Sequence, residues 1–272
     1  MKIPELALAD TNHIPQIGLG LWQVKDQAEF NTAFTAALKA GYRHFDTAQA
    51  YNNEYMLGSA WQASGKQRDE LFITTKIDVR HFRPNKVRSS FAESLKNLQT
   101  DYVNLLLLHF PVTILRKKAW KTLEEIQASG SARSIGVSNY MIHHLEGLAK
   151  YAKITPAVNQ VELHVFLQQP ELVKYCQERH ITIEAYSPLA HARSMDNPVV
   201  NKIAEKHHKT YAQVMLRWLT QQGMVVLPKS VTPKRIEENI AIFDFTLDDE
   251  DLTLLAKQDR NLRTCWSPVH VP

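Results

Sequence analysis

A single (β/α)₈ TIM barrel of the α/β class is the fold that this 272-residue chain predicts, and three observations predict it. Eight short apolar runs alternate with segments of helical period. The runs are continuous rather than alternating, as expected of parallel strands covered on both faces. No Pro/Gly/Ser-rich linker or shift of composition divides the chain into two domains, so residues 1–272 read as one domain.

The opening segment, with the turn residues Asp10-Thr11-Asn12, reads as a β-hairpin closing the barrel floor. Residues 17–21 form the first strand, 27–40 an amphipathic helix stopped by Gly41, and 44–46 the second strand. Residues 53–64 are helical before Gly65, 71–77 extended, 84–98 helical with proline at the start, and 102–109 extended. A helix over 119–128 ends at Gly130, and strand 133–137, helix 143–150 and strand 156–161 follow. Helix 170–179, strand 181–186, helices 198–206 and 211–221, strand 224–228 and helix 233–240 close the set, and the tail from Asp259 is irregular.

Composition narrows the function. Apolar residues at 44% and charged residues at 22% suit a globular enzyme with a large core. The formal charge of +4 comes from scattered basic residues rather than a stripe, which argues against nucleic acid as partner. Cys176 and Cys265 have no zinc or redox spacing and suit a reducing compartment. The first residues lack the apolar core of a secretory signal, and no run approaches the ~20 apolar residues that span a bilayer. A cytoplasmic protein is expected, and with no long apolar surface helix, a monomer.

Strand ends of a parallel barrel converge on one face, where catalytic groups sit. Asp46, Lys76 and His109 end three of the runs and Tyr51 follows the first of them, so the four would meet there. Together they suit carbonyl reduction. A tyrosine with pKa about 10 is a reluctant acid, but Lys76 beside Tyr51 would stabilise the phenolate, Asp46 would keep Lys76 charged and oriented, and His109 would hydrogen-bond the substrate oxygen. Taken singly, Asp46, Tyr51 and Lys76 read more readily as a turn cap, a half-buried aromatic and a solvated strand end, and His109 reads equally as a buried histidine.

The segments Asp46-Thr47-Ala48-Gln49-Ala50-Tyr51, Thr74-Thr75-Lys76 and Leu107-Leu108-His109-Phe110-Pro111 resemble the signatures of the aldo-keto reductase superfamily. Gly18-Leu19-Gly20-Leu21-Trp22, Gly136-Val137-Ser138-Asn139 and Pro228-Lys229-Ser230 resemble three more in the same order, so the likeness spans nearly the whole chain. It implies an NADPH-dependent oxidoreductase with Tyr51 as general acid and Asp46, Lys76 and His109 in support. The compact loops look most like those of bacterial 2,5-diketo-D-gluconate reductases, which also reduce small dicarbonyls such as methylglyoxal. Phe110 departs from the pattern, since many members carry tryptophan there.

No G-x-G-x-x-G follows a strand, so a doubly wound dinucleotide fold is disfavoured. Lys229-Ser230-Val231-Thr232-Pro233-Lys234-Arg235 offers a phosphate cradle instead, with Thr232 as helix cap and Pro233 in the first turn of a helix whose N-terminus attracts anions. Arg235 and Asn239, four apart, would reach a ribose 2′-phosphate and the adenine, and Glu238 would accept from the adenine amine. The resemblance implies that Ser138, Asn139 and Gln160 hold the nicotinamide carboxamide, that Tyr186 stacks on the ring, and that Trp22, Ser187, Leu189, Lys229, Ser230 and Val231 complete the cofactor cleft. Without it, Ser138-Asn139 reads as a strand end and Lys229-Ser230 as a basic turn.

Trp22, Phe110 and Trp266 are candidates for an apolar substrate wall. Arg193, Arg260 and Arg263 read either as recognition of a carboxylated substrate or as solvated arginines. The pairs His143-His144 and His207-His208 read as solvated helix faces rather than metal ligands, and no metal is expected. Two other readings stand beside the reductase. A metal-dependent barrel hydrolase needs more ligands at strand ends, and an NADPH-binding sensor would not require the four residues to stay together.

Overall fold

The computed structural model describes residues 3–112, 114–192 and 196–272. A hairpin of β1 (Glu5–Ala7) and β2 (His13–Pro15) opens the chain. Strands and helices then alternate: β3 (Gly18–Gly20), α1 (Gln27–Ala40), β4 (His44–Asp46), α2 (Glu54–Ala63), β5 (Phe72–Ile77), α3 (Pro84–Asn97), β6 (Val103–Leu108) and α4 (Arg116–Ala128). The second half continues with β7 (Ala132–Ser138), α5 (Ile142–Ala149), β8 (Val158–Glu162), α6 (Pro170–Gln177), β9 (Thr182–Tyr186), α7 (Pro198–Lys206), α8 (Tyr211–Gln221), β10 (Val225–Leu227), α9 (Pro233–Ile240) and α10 (Asp249–Ala256).

Strands β3 to β10 pair in parallel and in sequence order, an eight-stranded sheet. Its two edges meet: Ile17 bridges Val226, the Val226 N–H donates to the Gln16 carbonyl at 3.1 Å, and the Gly20 N–H donates to the Pro228 carbonyl at 3.0 Å. The sheet is therefore a closed barrel. The two faces of the sheet pack against different partners. Phe45, Ile73, Leu106, Ile135 and Val226 face outward into one core with Phe30, Phe34, Trp120, Leu123 and Leu219 of the helices. Inside, Phe72, Leu105, Val158 and Val225 pack near the starts of their strands against Leu8 and Ile14 of the hairpin. The hairpin thus plugs the barrel floor, as expected, and leaves the opposite face open.

Local signals explain most boundaries. Asp26 caps α1 by accepting from the Glu29 N–H at 2.8 Å, and Gly41 ends it at φ 109°, a left-handed conformation that suits glycine. The sequence reading did not foresee α10, whose Asp248 and Asp251 form a reciprocal capping box with aspartate in place of the usual Glu/Gln partner. Helix α4 begins at Arg116, three residues before the expected start. Thr232 stands at the cap of α9, but its side chain makes no capping bond; the Thr232 N–H donates instead to Ser230 Oγ at 3.2 Å.

The solvated reading of the histidine pairs holds for exposed His208 but not for His144 or His207. His144 is buried, accepts from the Met141 N–H at 3.0 Å and contacts the Val271 carbonyl at 2.7 Å. His207 Nε2 lies 2.6 Å from Asp251 Oδ2. These rings dock the tail and α10 onto the barrel. Among the described residues no helix is long and apolar enough to cross a membrane.

One close approach gives a stability prediction. A Cβ on Gly58 of α2 would lie 2.1 Å from the Asn97 carbonyl oxygen at the end of α3, and backbone cannot yield there as a flexible side chain can. Gly58→Ala is expected to cost about 1–3 kcal/mol as overpacking, read as a lower midpoint in thermal denaturation.

Candidate active site

Parallel register sets the polar residues in rows at the open end. Gly20, Asp46 and Thr74 lie side by side across β3, β4 and β5, and Ser138, Gln160 and Glu184 across β7, β8 and β9. Lys76 is two residues beyond Thr74, hence on the same inward face. Tyr51 closes a single 3₁₀ turn after β4. Asn53 ties that loop down, accepting from Thr47 Oγ1 at 2.6 Å and donating to the Leu21 and Val24 carbonyls at 2.8 and 3.1 Å.

The Lys76 ammonium is fully buried, and all three of its hydrogens have acceptors: Asp46 Oδ1 at 2.6 Å, the Thr47 carbonyl at 3.0 Å and the Tyr51 hydroxyl at 3.1 Å. Burial works against the charge, yet Asp46 and Tyr51 outweigh it and hold Lys76 above the usual lysine range. Burial pushes the Asp46 carboxyl up, against the pull of Lys76 and of the Gln160 amide. Since Tyr51 accepts from Lys76, its own hydroxyl hydrogen is left for the cleft. Burial raises the Tyr51 hydroxyl, with Lys76 opposing, so it is a neutral donor at physiological pH. The His109 ring meets Tyr51 edge-on at 5.7 Å, and burial and the Lys76 charge push it down to about 3, so it too is neutral.

Beside this group lies a second polar cluster. Asn139, at φ 65°, donates to the His109 carbonyl at 3.1 Å and to Ser138 Oγ at 3.0 Å, and accepts from the Tyr186 hydroxyl at 2.7 Å. Asparagine tolerates this left-handed conformation better than most residues. Gln160 Nε2 donates to Asp46 Oδ2 at 2.9 Å and to Glu184 Oε2 at 2.6 Å.

These residues line a cleft of about 430 Å³, with Asp46, Tyr51, His109, Ser138, Asn139, Gln160 and Tyr186 on its inner wall. Lys76 stands behind Tyr51 rather than on the surface. Trp22 and Trp266 are partly open to solvent at the mouth, and Phe110 stacks on Trp266 with centroids 4.3 Å apart and 15° between planes. All three expected wall residues therefore reach the cleft. Ser187, Leu189 and Lys229 line it as well. Ser230 and Asn239 are buried, Arg235 is exposed on the first turns of α9, and the Glu238 carboxylate accepts from the Thr210 hydroxyl at 2.7 Å.

Beyond Trp266, the sequence reading missed the part of the wall that the tail builds with Thr264 and Cys265. Buried Glu162 accepts from the Thr264 N–H at 2.6 Å, the Thr264 hydroxyl at 2.5 Å and the Cys265 N–H at 3.2 Å, which lays residues 264–266 along the cleft. Cys265 Sγ there lies 3.3 Å from His191 Nε2 and 3.4 Å from Ser187 Oγ. Arg263 is neither solvated nor at the mouth: it donates to Gln169 at 3.2 Å, and its guanidinium stands 3.8 Å from Glu162. Arg260 sits over the Phe166 ring, away from the cleft lining. Arg193 lies outside the described residues.

The cleft suits a flat ring bearing a carboxamide. Both hydrogens of the Gln160 amide are committed to Asp46 and Glu184, leaving its carbonyl for a donor, and the Tyr186 ring forms part of the wall. Lys229 and Arg235, both exposed, would meet an anionic extension near the start of α9.

A closed parallel barrel with a hydroxyl donor, a buried cation and a neutral imidazole at its open end is an enzyme of proton-coupled chemistry on a small molecule. More particularly, the chain belongs to the aldo/keto reductase family, oxidoreductases acting on carbonyl groups, whose model matches residues 16–260. It is 44% identical over 263 residues to the methylglyoxal reductase DkgA of Escherichia coli O157:H7, covering 95% of this chain and 94% of that one. It is also 44% identical over 255 residues to the glyoxal reductase of Bacillus subtilis, covering 94% and 92%. The crystal structure of a Bombyx mori aldo-keto reductase in complex with NADP superposes with a TM-score of 0.93 at 33% identity, covering 97% and 95%.

Proposed function

We propose that this protein is an NADPH-dependent reductase of small dicarbonyl compounds, with methylglyoxal as the first candidate substrate and 2,5-diketo-D-gluconate as the second. The observation that carries this reading is the triple coordination of Lys76, which turns the Tyr51 hydroxyl hydrogen toward the cleft beside neutral His109. NADPH, when bound, supplies hydride to the carbonyl carbon. Tyr51 gives its proton to the carbonyl oxygen as negative charge builds there, and Lys76 stabilises the phenolate left behind. Asp46 keeps Lys76 charged, and His109 orients the oxygen as a hydrogen-bond donor. The tetrad is complete, which favours turnover over a sensor role.

In this reading Ser138, Asn139 and Gln160 hold the carboxamide, and Tyr186 stacks on the ring, with Trp22, Ser187 and Leu189 around it. Lys229, Ser230, Val231 and Arg235 meet the phosphates, and Glu238 and Asn239 the adenine. The names of the glyoxal and methylglyoxal reductases support a small dicarbonyl, as does a mouth narrowed by Phe110 stacked on Trp266. We place the activity in the cytoplasm and in a monomer, in keeping with a cysteine usage that suits a reducing compartment.

Loss of NADPH absorbance with each substrate, repeated with NADH, tests the reading. Arg235→Ala is expected to raise KM for NADPH about tenfold or more, in line with the ~1.5–3 kcal/mol of a charged hydrogen bond, and to leave KM for NADH unchanged. Absence of NADPH binding by the wild type contradicts the assignment.

A further inference from the structure

Glu184 is a buried acid that the proposed reaction does not use. It lies in register opposite Gln160, is fully buried, and its Oε1 has no hydrogen-bond partner. The groups facing it are His44 and Asp46 from β4, Lys76 from β5 and Gln160 from β8, with Tyr51 beyond Lys76.

Charge decides how this interior is occupied. His44 Nε2 stands 3.6 Å from Glu184 Oε1 and 3.0 Å from the Thr74 hydroxyl, and burial pushes the ring down to about 3, so it is neutral. Lys76 is then the one cation facing two carboxyl groups. Asp46 touches it at 2.6 Å, whereas no hydrogen bond joins Lys76 to Glu184. Two buried anions sharing one cation leave one charge uncompensated, and the carboxyl without direct contact keeps its proton. Burial and the Asp46 charge push Glu184 up to about 8.

The Gln160 amide carries the consequence to the cleft. Turned by half a rotation, with the Glu184 proton on the unpartnered Oε1, its carbonyl oxygen would face acceptor oxygens of both Asp46 and Glu184 and lose two hydrogen bonds. The two carboxyl groups thus lock the amide with its carbonyl free for a ligand.

We propose that Glu184 is a positioning residue that serves as a neutral acid: with Asp46 it fixes the Gln160 amide, and its ionisation switches the tetrad off. This rests on the reading of Tyr51, Lys76 and Asp46 as the proton-delivering group. A second negative charge beside Asp46 draws on the field of Lys76 and makes Tyr51 hold its proton more tightly. The proton that Glu184 gives up goes to solvent. Linkage has the same sign. A folded-state value raised from 4.5 to about 8 lends stability that is full below 4.5 and is lost as pH rises toward 8.

Glu184→Gln keeps an acceptor oxygen for Gln160 and cannot ionise. The test compares kcat/KM for methylglyoxal in wild type and variant from pH 6 to 9.5. In parallel, wild type labelled with ¹³C at glutamate side-chain carboxyls is titrated by NMR. The variant is expected to match wild type within about twofold at pH 6.5, where the acid is neutral. At pH 9 wild type is expected to have lost about tenfold, one decade per pH unit above the ionisation, with much less loss in the variant. One glutamate carboxyl of wild type should titrate near pH 8. Superimposable pH profiles overturn the proposal, as does loss of rate by the variant at every pH, or the absence of any glutamate titrating above pH 7. The carboxyl titration needs no turnover, so it separates failure of this inference from failure of the reductase reading, which Tyr51→Phe with full activity would signal.

Discussion

Tyr51→Phe is expected to lower kcat for carbonyl reduction by about 10²–10⁴-fold, the usual contribution of a positioned general acid, with little change in NADPH affinity. The substitution removes the one oxygen of the tetrad whose hydrogen is free for the cleft and leaves the ring in its edge contact with His109. Lys76 keeps Asp46 and the Thr47 carbonyl as acceptors, so its charge stays satisfied in two of three directions. Stability should therefore change little while turnover collapses. Steady-state rates and the quenching of protein fluorescence by NADPH read the two effects separately. Equal losses of rate and cofactor binding would mean that Tyr51 shapes the cleft rather than donating the proton.

Lys76→Met is expected to damage both activity and stability. The ammonium is fully buried and paired with a carboxylate that is itself nearly enclosed. Removing the cation strands Asp46, and breaking one side of a buried pair typically costs 3–5 kcal/mol. Asp46 would then take up a proton in the folded state. Its folded pKa would stand well above its unfolded value, so the stability of the variant should fall as pH rises through that raised value. The double variant Asp46→Asn/Lys76→Met removes both charges and is expected to recover much of the stability but none of the activity, since nothing remains to stabilise the Tyr51 phenolate. Thermal denaturation from pH 5 to pH 9 checks the first point and NADPH oxidation the second. Recovery of turnover in the double variant would contradict the role given to Lys76.

The barrel was legible because its signals are local. Apolar runs such as Leu105 to Leu108, stop signals such as Gly41, and the polar residues at run ends need only a few neighbours to be read. The same logic brought Asp46, Tyr51, Lys76 and His109 to one face, and the structure places them together.

What stayed hidden depends on contacts between distant segments. Glu184 sits inside an apolar run, Ile183 to Tyr186, and nothing in the run says that its carboxyl meets Gln160, 24 residues away, and the Asp46 group. The tail looked irregular and is irregular, but Glu162, 102 residues before Thr264, pins it along the cleft and makes Cys265 a wall residue. His144 was misread because a polar residue on a helix is usually solvated, whereas here its ring holds the backbone of Val271. In each case a buried polar group bonds across the fold, which pattern reading along the chain does not register.

Reduction of methylglyoxal with NADPH deuterated at C4 of the nicotinamide, followed by mass spectrometry of the product, tests the central claim most directly. Hydride transfer to a carbonyl held against Tyr51 predicts one deuterium on the carbinol carbon from one C4 epimer of the cofactor and none from the other. Bound NADPH that remains unoxidised with methylglyoxal, 2,5-diketo-D-gluconate and simple aldehydes alike, or a product without deuterium from either epimer, would contradict it.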